Sequence, residues 1–495
     1  MHTIYHSLSL SLSLISPPTP HPPHTHRQLR DFISEALYHP ERGYFTAKTA
    51  PVGHLPSPIH FPSLANQQAY LNHVQHHYDA LQVAWLTPVE LFSPFLGSAL
   101  ANYIVNNTKP GNSIAIYEIG GGTGTLARDV LRWLGTHHPT QPCQYTCIEI
   151  SPVLAAIQEQ RVLERLQNKN NSKNKQTSNY TDAESVSFRV VQGDATDQDT
   201  FSSIITTTTT NTPKGHIHTD SNKNLTHFVV AMEVLDNLPH DRVWREGPGG
   251  PWHETWVKSV DHEARYEELV RPVEDEYILR CLQAWERVVG EQPSPPAPGT
   301  PTAAFSDQLH DGSATLHEKH TFMSRMILRA LSAALGDAVY LPTGALKLFD
   351  TLHAGFQARG TTDYHIIAAD FDFLPETVID GWGAPLVSTT VGGAAKDHGT
   401  VLVPPGQADI FFPSNFELLG LLFEHSRACC CQVDRGGSRS SGGEMAVASS
   451  SLPRVTKARE FFKEWASQED EKKRQCRDGY DPLLDDYSNT SFLLT

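Results

Sequence analysis

Short apolar runs that end in glycine or acidic residues recur along the first half of the chain. The first, Ile114 to Ile119, leads directly into Gly120-Gly121-Gly122-Thr123-Gly124, and an amphipathic segment follows as far as Leu134. A short apolar run that ends in turn residues predicts a buried strand, and helical spacing of apolar residues predicts a helix. This stretch therefore predicts a strand, a tight glycine turn and a helix.

Three further runs have the same character, and they cover residues 145–150, 188–192 and 227–232. Helical segments and polar insertions separate them. Regular alternation of strand and helix predicts a doubly wound α/β fold around a parallel sheet. Later segments predict strands at 253–260, 346–350, 364–371 and 400–403, and helices at 275–285, 319–335 and 459–475, with a further helix reached within 408–423.

Polar segments of low complexity interrupt this pattern near residues 168–181, 206–224 and 292–302, and again at 436–451. Such compositions bury too little apolar surface to offset chain entropy, so we expect them to be disordered. The predicted organisation has a tail over 1–30, a helical cap over 31–110, a catalytic domain over 111–425, and a linker with a C-terminal helix over 426–495.

Composition limits the classes of function. The chain has 495 residues and a formal net charge of −16, which argues against general nucleic-acid binding, because that function needs a basic face. Seven scattered cysteines suggest a reducing compartment and predict no metal site. No apolar run is long enough to predict a membrane span. The first 30 residues are serine-rich and lack acids, which suits either a mitochondrial transit peptide or a disordered tail.

The glycine turn is the strongest candidate for a cofactor site. Gly120, Gly122 and Gly124 follow a G-x-G-x-G spacing, and the helix that follows directs its N-terminal N–H groups at the turn. Glu118 adds an acid before the turn. Glu149 ends the second strand, where an acid in such sheets binds ribose hydroxyls.

Acidic residues also follow the third and fourth strands. Asp194 lies just after the third strand, and Glu233, Asp236 and His240 follow the fourth. Because ligands bind beyond the carboxyl ends of parallel strands, we expect all four residues near the ligand. Three of the candidates also have a structural explanation: Glu149 as a solvated carboxylate, Asp194 as a turn residue and His240 as a surface histidine.

Several motifs together resemble the MidA type of class I S-adenosylmethionine (SAM) methyltransferases, whose mitochondrial members assist assembly of respiratory complex I. The glycine turn resembles motif I of these enzymes. The resembling segments, in the family's order, are FISEALYHPERGYF (32–45), WLTPVELFSPFLG (85–97), EIGGGTGTLARDVLR with IEISPVL, AMEVLDNLPHDRV (231–243) and PPGQADIFFPSNFEL (404–418). Met232, Phe411 and Asn415 depart from the family pattern, so a paralogue of changed specificity fits as well as an orthologue.

The resemblance implies a class I SAM-methyltransferase fold with an N-terminal helical extension and inserted helical or loop segments. It implies SAM as cofactor, with the methionine part at the glycines, its amino group at Glu118 and the adenine end at Asp194. It also implies arginine methylation of a complex I subunit in the mitochondrial matrix.

In that reaction Glu233 and Asp236 would orient the guanidinium and His240 would accept a proton. Glu90 would close over the site, or would simply cap a helix. Two alternatives stay open, an assembly factor without turnover and a small-molecule methyltransferase.

Overall fold

The computed structural model describes residues 26–47, 52–81, 86–168, 186–207, 225–245, 247, 250–260, 265–290, 338–361, 363–374, 377–391, 394–433 and 452–495. Most of the expected tail and of the low-complexity insertions therefore lies outside the described residues. The helix expected at 319–335 lies outside them as well.

The described residues form fifteen strands. They are β1 (His26–Gln28), β2 (Ser113–Ile119), β3 (Cys143–Glu149), β4 (Val186–Gln192), β5 (Leu225–Met232), β6 (Asp241–Arg245), β7 (Trp252–Ser259), β8 (Tyr266–Pro272), β9 (Val339–Leu341), β10 (Tyr364–Phe371), β11 (Leu386–Val391), β12 (Ala394–Asp397), β13 (Asp409–Phe411), β14 (Arg454–Lys457) and β15 (Thr490–Leu494).

The described α-helices connect and cover these strands. They are α1 (Leu29–Tyr38), α2 (Tyr44–Ala47), α3 (Gln67–Leu81), α4 (Pro88–Leu91), α5 (Phe95–Asn106), α6 (Thr125–His137), α7 (Pro152–Asn168), α8 (Gln198–Thr207), α9 (Glu276–Gly290), α10 (Thr343–Ala358), α11 (Phe416–Val433), α12 (Ala458–Trp465), α13 (Gln468–Arg474) and α14 (Pro482–Asp485).

The central sheet has seven strands in the order β14-β15-β10-β5-β2-β3-β4. The five strands from β10 to β4 are parallel, and β15 runs antiparallel between β10 and β14. This arrangement confirms the expected doubly wound sheet of a class I SAM methyltransferase. The strand order reverses beside β2, so the glycine turn lies at the switch point where such sheets bind ligands.

Alternation along β2 explains why helices cover both faces of the sheet. Ile114 and Ile116 pack into one apolar cluster with α5, α6 and α12. Ala115 and Tyr117 pack into a second cluster with α8, α9, α10 and α11. A strand with apolar residues on both faces is typical of a parallel sheet that is buried on both sides.

Two smaller antiparallel sheets accompany the central sheet. Strands β1, β7, β6 and β9 form one with β8 added to β7, and β12, β11 and β13 form the other. Strand β1 joins the N-terminal segment to β7, so α1 and α2 lie over the carboxyl ends of the central strands.

The structure corrects three expected elements. Residues 346–350 belong to helix α10 and not to a strand, and 400–403 form no strand. Residues 459–475 form two helices, because Ser467 caps a second helix with its side chain. Within the described residues, no helix is long and apolar enough to cross a membrane. No group of three or more His, Cys, Asp or Glu side chains in that part of the chain could hold a metal ion.

Candidate active site

The glycine turn, residues 120–124, bends through three left-handed positions between β2 and α6. The backbone φ is +65° at Gly120, +53° at Gly122 and +81° at Gly124. An L side chain in this region costs roughly 1–2 kcal/mol per residue. A Cβ added at Gly122 would meet no atom within 4 Å, so this glycine faces open space and not packed protein.

A cavity of about 240 Å³ lies over this turn, at the carboxyl ends of β2, β3, β4 and β5. Gly120 and Gly122 form part of its wall. Tyr38 and Phe45 from the N-terminal segment line it as well, and their rings stack with centroids 5.9 Å apart. The cavity is therefore built by the sheet and by the segment that covers its end.

The cavity brings together half of the ten predicted site residues. Those that line it are Gly120, Gly122, Glu149, Asp194 and Glu233. Those that do not line it are Glu90, Glu118, Gly124, Asp236 and His240.

Glu149 ends β3 and is buried, so it is not a solvated carboxylate. Its Oε1 accepts a hydrogen bond from the Ser151 N–H at 2.9 Å, and its Oε2 accepts one from Gln158 Nε2 at 2.9 Å. Burial raises the pKa of Glu149 to about 7. A carboxyl oxygen can accept more than one hydrogen bond, so Glu149 can also accept from two ribose hydroxyls.

Asp194 lies in the turn after β4, and its Oδ1 accepts a hydrogen bond from the Thr196 N–H at 2.7 Å. Apolar side chains of Ile150, Leu154 and Ala195 also line the cavity. An apolar wall bordered by a few polar groups is typical of sites for ring-shaped ligands. This part of the cavity suits a purine base.

Glu233 follows β5 directly and has a strained backbone. Its φ is +54°, and no other non-glycine residue in the described part of the chain has a positive φ. The Glu233 N–H donates to the Ala369 carbonyl at 2.8 Å, which ties the turn to β10. Strain of this kind costs roughly 1–3 kcal/mol and clusters at functional sites. Burial and the nearby charge of Asp236 raise the pKa of Glu233 well above its usual range.

Asp236 lies behind the cavity wall, where it interacts with Asp370. The Asp236 N–H donates to Asp370 Oδ2 at 2.9 Å. Burial raises the pKa of the Asp236 carboxyl, and the charge of Asp370 raises it further. Burial also raises the pKa of Asp370, to about 7. Asp236 therefore influences Glu233 through its charge and not by lining the cavity.

His240 is buried and does not lie at the surface. Its ring stacks on Phe412 with centroids 3.8 Å apart, and its Nδ1 lies 2.8 Å from the Leu238 carbonyl. Burial lowers the pKa of His240 to about 4, so the ring is neutral near pH 7. Nδ1 must then carry the proton, since a carbonyl can only accept. The expected role of His240 as a proton acceptor stays a prediction.

Glu118 lies behind the glycine turn. Its Oε2 accepts a hydrogen bond from the Tyr145 hydroxyl at 2.9 Å, and a Cβ at Gly121 would lie 3.2 Å from the carboxyl. Burial raises the pKa of Glu118 to about 7. Glu118 supports the turn from this position, and its contact with the amino group of a cofactor stays a prediction.

Glu90 also lies behind the turn, on the short helix α4. Thr87 caps this helix by accepting a hydrogen bond from the Glu90 N–H. The Glu90 carboxylate instead accepts hydrogen bonds from the hydroxyls of Thr123 and Thr125, and His54 Nδ1 lies 3.0 Å away. Glu90 thus fixes the position of the turn relative to the N-terminal region.

The sequence analysis missed two residues that shape the site. Tyr38 lines the cavity, and its hydroxyl donates to the Asn237 carbonyl at 3.0 Å. Gln158 is fully buried on α7 and contacts both Glu149 and the glycine turn. Gln158 could have been found, because helical spacing places it on the same face as Leu154 and Val162.

The described residues fit SAM. Open space at Gly122 and the adjacent N-terminus of α6 can hold the methionine carboxylate, because helix N-termini bind anions. Glu149 can bind the ribose, and the apolar wall beside Asp194 can hold the adenine. Each part of the cofactor therefore has a chemically matched part of the cavity.

Comparison with known proteins supports SAM as the cofactor. The family model for S-adenosyl-L-methionine-dependent methyltransferases, Methyltransf_28, matches residues 95–432, which is more than half of the chain. No curated protein sequence matches the chain.

One solved structure supports the fold. A COG1565 superfamily member from Burkholderia thailandensis, bound to S-adenosyl-homocysteine, has a TM-score of 0.50 and 14% identity, over 95% of this chain and 87% of that chain. A native structure of a COG1565 superfamily protein from the same organism has a TM-score of 0.46, with the same identity and coverage. At this level of identity the similarity concerns the fold alone.

Proposed function

Because the chain belongs to the family of SAM-dependent methyltransferases, we propose that its methyl acceptor is an arginine side chain of a protein. SAM is the cofactor of this family. The observation that carries the proposal is the acidic lining of the cavity. Four acidic residues line it: Asp31, Glu149, Asp194 and Glu233.

Two cationic residues, Arg30 and Lys347, line the same cavity. Arg30 donates to Asp241 and Asp275, each at 2.8 Å, so its charge is already paired. Lys347 is exposed on α10. A guanidinium is always charged and is best held by carboxylates and aromatic faces, both of which this cavity offers.

Glu233 is the residue we assign to the guanidinium. A cation beside Glu233 would lower the pKa of its carboxyl, because an opposite charge favours the ionised form. Acceptor binding would therefore release a proton and leave a carboxylate beside the reacting nitrogen.

When bound, SAM supplies a sulfonium methyl group for in-line displacement, in which a nitrogen–carbon bond forms and the carbon–sulfur electron pair returns to sulfur. The glycine turn and Glu149 hold the cofactor in place for this attack. Glu233 orients the guanidinium and accepts the proton that its nitrogen loses. Tyr38 and Phe45 line the same cavity and offer it aromatic rings.

The resemblance to MidA-type methyltransferases supports two finer proposals: the acceptor protein is a subunit of respiratory complex I, and the enzyme acts in the mitochondrial matrix. The acid-free, serine-rich N-terminus is compatible with import. Fusing residues 1–30 to a fluorescent protein tests the location. Mitochondrial fluorescence is expected, and diffuse fluorescence would contradict the matrix assignment.

Labelled SAM tests the acceptor. Purified protein is incubated with mitochondrial extract and labelled SAM, and methylated products are identified by mass spectrometry. We expect label on arginine nitrogens of a protein with the wild type, and no label with Gly122→Val.

Other outcomes would contradict the arginine proposal. Label in the low-mass fraction would identify a small-molecule methyltransferase. An unlabelled extract, together with normal binding of S-adenosyl-homocysteine, would indicate an assembly factor without turnover.

A further inference from the structure

Gln158 connects two parts of the cofactor cavity without lining it. This side chain is fully buried on α7, nine positions after Glu149. Its Nε2 donates to the Gly122 carbonyl at 2.9 Å and to Glu149 Oε2 at 2.9 Å. Because both partners are acceptors, only the NH₂ end of the amide can face them, which fixes its orientation.

The backbone around Gln158 is held equally firmly. Gly124 lies against α7 so closely that an added Cβ would be 3.2 Å from the Gln158 Cα. Arg161, three positions after Gln158 on the same helix, donates to the Thr123 carbonyl at 3.1 Å. The first turns of α7 therefore pack on the glycine turn, and Gln158 cannot shift without moving it.

We infer that Gln158 is a positioning residue that fixes the glycine turn and the ribose-binding carboxyl of Glu149 relative to each other. The two donated bonds set the distance between the Gly122 carbonyl and the Glu149 carboxyl. These groups belong to the parts of the cavity that fit the methionine and the ribose of one SAM molecule. With Ser151 N–H on Oε1 and Gln158 on Oε2, the plane of the Glu149 carboxyl is set before the cofactor arrives.

The amide of Gln158 is satisfied only at its donor end. Its Oε1 has no hydrogen-bond partner among the described residues. The NH₂ group, in contrast, satisfies two buried acceptors, which an apolar side chain of similar shape would leave without a donor. The contribution of this glutamine therefore lies in what its donors do to Gly122 and Glu149.

The inference rests on cofactor binding in this cavity and not on the arginine acceptor, so it is tested with S-adenosyl-homocysteine alone. Calorimetry would compare the wild type with Gln158→Met, which keeps the shape and removes both donors. We expect at least tenfold weaker binding. Gln160→Met is the matched control, because it makes the same change at an exposed position of the same helix, and we expect it to bind as the wild type does.

A second step separates positioning from general stability. In a Glu149→Ala background, Gln158→Met should weaken binding by less than threefold more, because there is no longer a carboxyl whose position relative to Gly122 matters. The urea midpoint of Gln158→Met should fall, because the Gly122 carbonyl and Glu149 Oε2 lose their donor, so binding is compared at a urea-free condition in which every variant is folded. Unchanged affinity in Gln158→Met, or an equal tenfold loss in both backgrounds, would overturn the inference. A failed arginine assay with these binding results intact would overturn the acceptor proposal only.

Discussion

Glu90 accepts a hydrogen bond from the Thr125 hydroxyl at 2.6 Å, which links the N-terminal helices to the first residue of the helix after the glycine turn. Glu90 is 4% exposed. Despite the burial, hydrogen bonds from His54, Thr123 and Thr125 lower its pKa below the usual range. The carboxylate is therefore ionised and bound on several sides at neutral pH.

Glu90→Ala should weaken cofactor binding without removing any atom from the cavity wall. The two threonine hydroxyls lose their acceptor, and unsatisfied buried groups cost about 1–3 kcal/mol each. We expect roughly tenfold weaker binding of S-adenosyl-homocysteine by calorimetry. Glu90→Gln retains one acceptor oxygen, so its affinity for the ligand should lie between those of the wild type and Glu90→Ala. Wild-type affinity in Glu90→Ala would show that the hydrogen bonds between Glu90 and the glycine turn are unimportant for cofactor binding.

Gly122→Val should abolish cofactor binding because the valine side chain would occupy the cavity. This effect is separate from that of backbone strain. Gly111→Val is the matched control, because Gly111 also has a left-handed φ, +81°, and open space around its Cβ position, but lies before β2 and does not line the cavity. Both variants should lose similar stability in urea unfolding, roughly 1–2 kcal/mol. Only Gly122→Val should lose binding, and equal loss in both would assign the effect to strain.

Gly344 allows helix α10 to approach the segment that follows Glu233. Its N–H donates to the Pro239 carbonyl at 2.8 Å, and an added Cβ would lie 2.6 Å from that oxygen. Gly344→Ala should therefore displace α10 and cost about 1–3 kcal/mol of unfolding free energy. In Gly420→Ala the nearest atom would be 3.8 Å away, so this helical control should be neutral or stabilising. Similar unfolding curves for the two variants would contradict the close approach.

The neutral state of buried His240 predicts a specific dependence of stability on pH. Its pKa is about 4 in the folded protein and about 6.5 in an unfolded chain. The unfolded state therefore binds more protons between these values, and the contribution to stability falls as pH drops from about 6.5 to 4. The loss amounts to about 3 kcal/mol, since one pKa unit corresponds to about 1.4 kcal/mol.

Replacement by asparagine isolates this effect, because His240→Asn keeps a donor for the Leu238 carbonyl and does not titrate. Urea unfolding of both proteins across this pH window should show a stability difference that shifts in favour of the variant as pH falls. A difference that stays constant with pH would mean that His240 is protonated in the folded state.

The parallel core of the fold could be predicted because its strands are continuous apolar runs that end in turn residues. Residues 346–350 illustrate the limit of that signal. The pattern of apolar and polar residues over these five positions fits a short strand as well as a turn of helix. Only the packing of α10 against α11 decides between the two structures. Strand β15 was not predicted, and it lies between β10 and β14, which pair with it from distant parts of the chain.

Residues of the candidate site were predicted where they lie at the end of a strand or just after it, as Glu149, Asp194 and Glu233 do. It was not predicted where the residue reaches the site from a distant segment. Tyr38 meets Asn237 across 199 positions of the chain. Conversely, His240 has the right position in the sequence but turns toward Phe412, because burial of a neutral ring there fills the space beside β13.

The central claim is that the cavity over the glycine turn binds SAM through Gly122 and Glu149. Calorimetric titration of the purified chain with S-adenosyl-homocysteine tests it most directly. The account predicts saturable one-to-one binding that Glu149→Ala weakens strongly and that Gln160→Met leaves unchanged. Absence of binding at high micromolar ligand, or equal binding by Glu149→Ala, would contradict it.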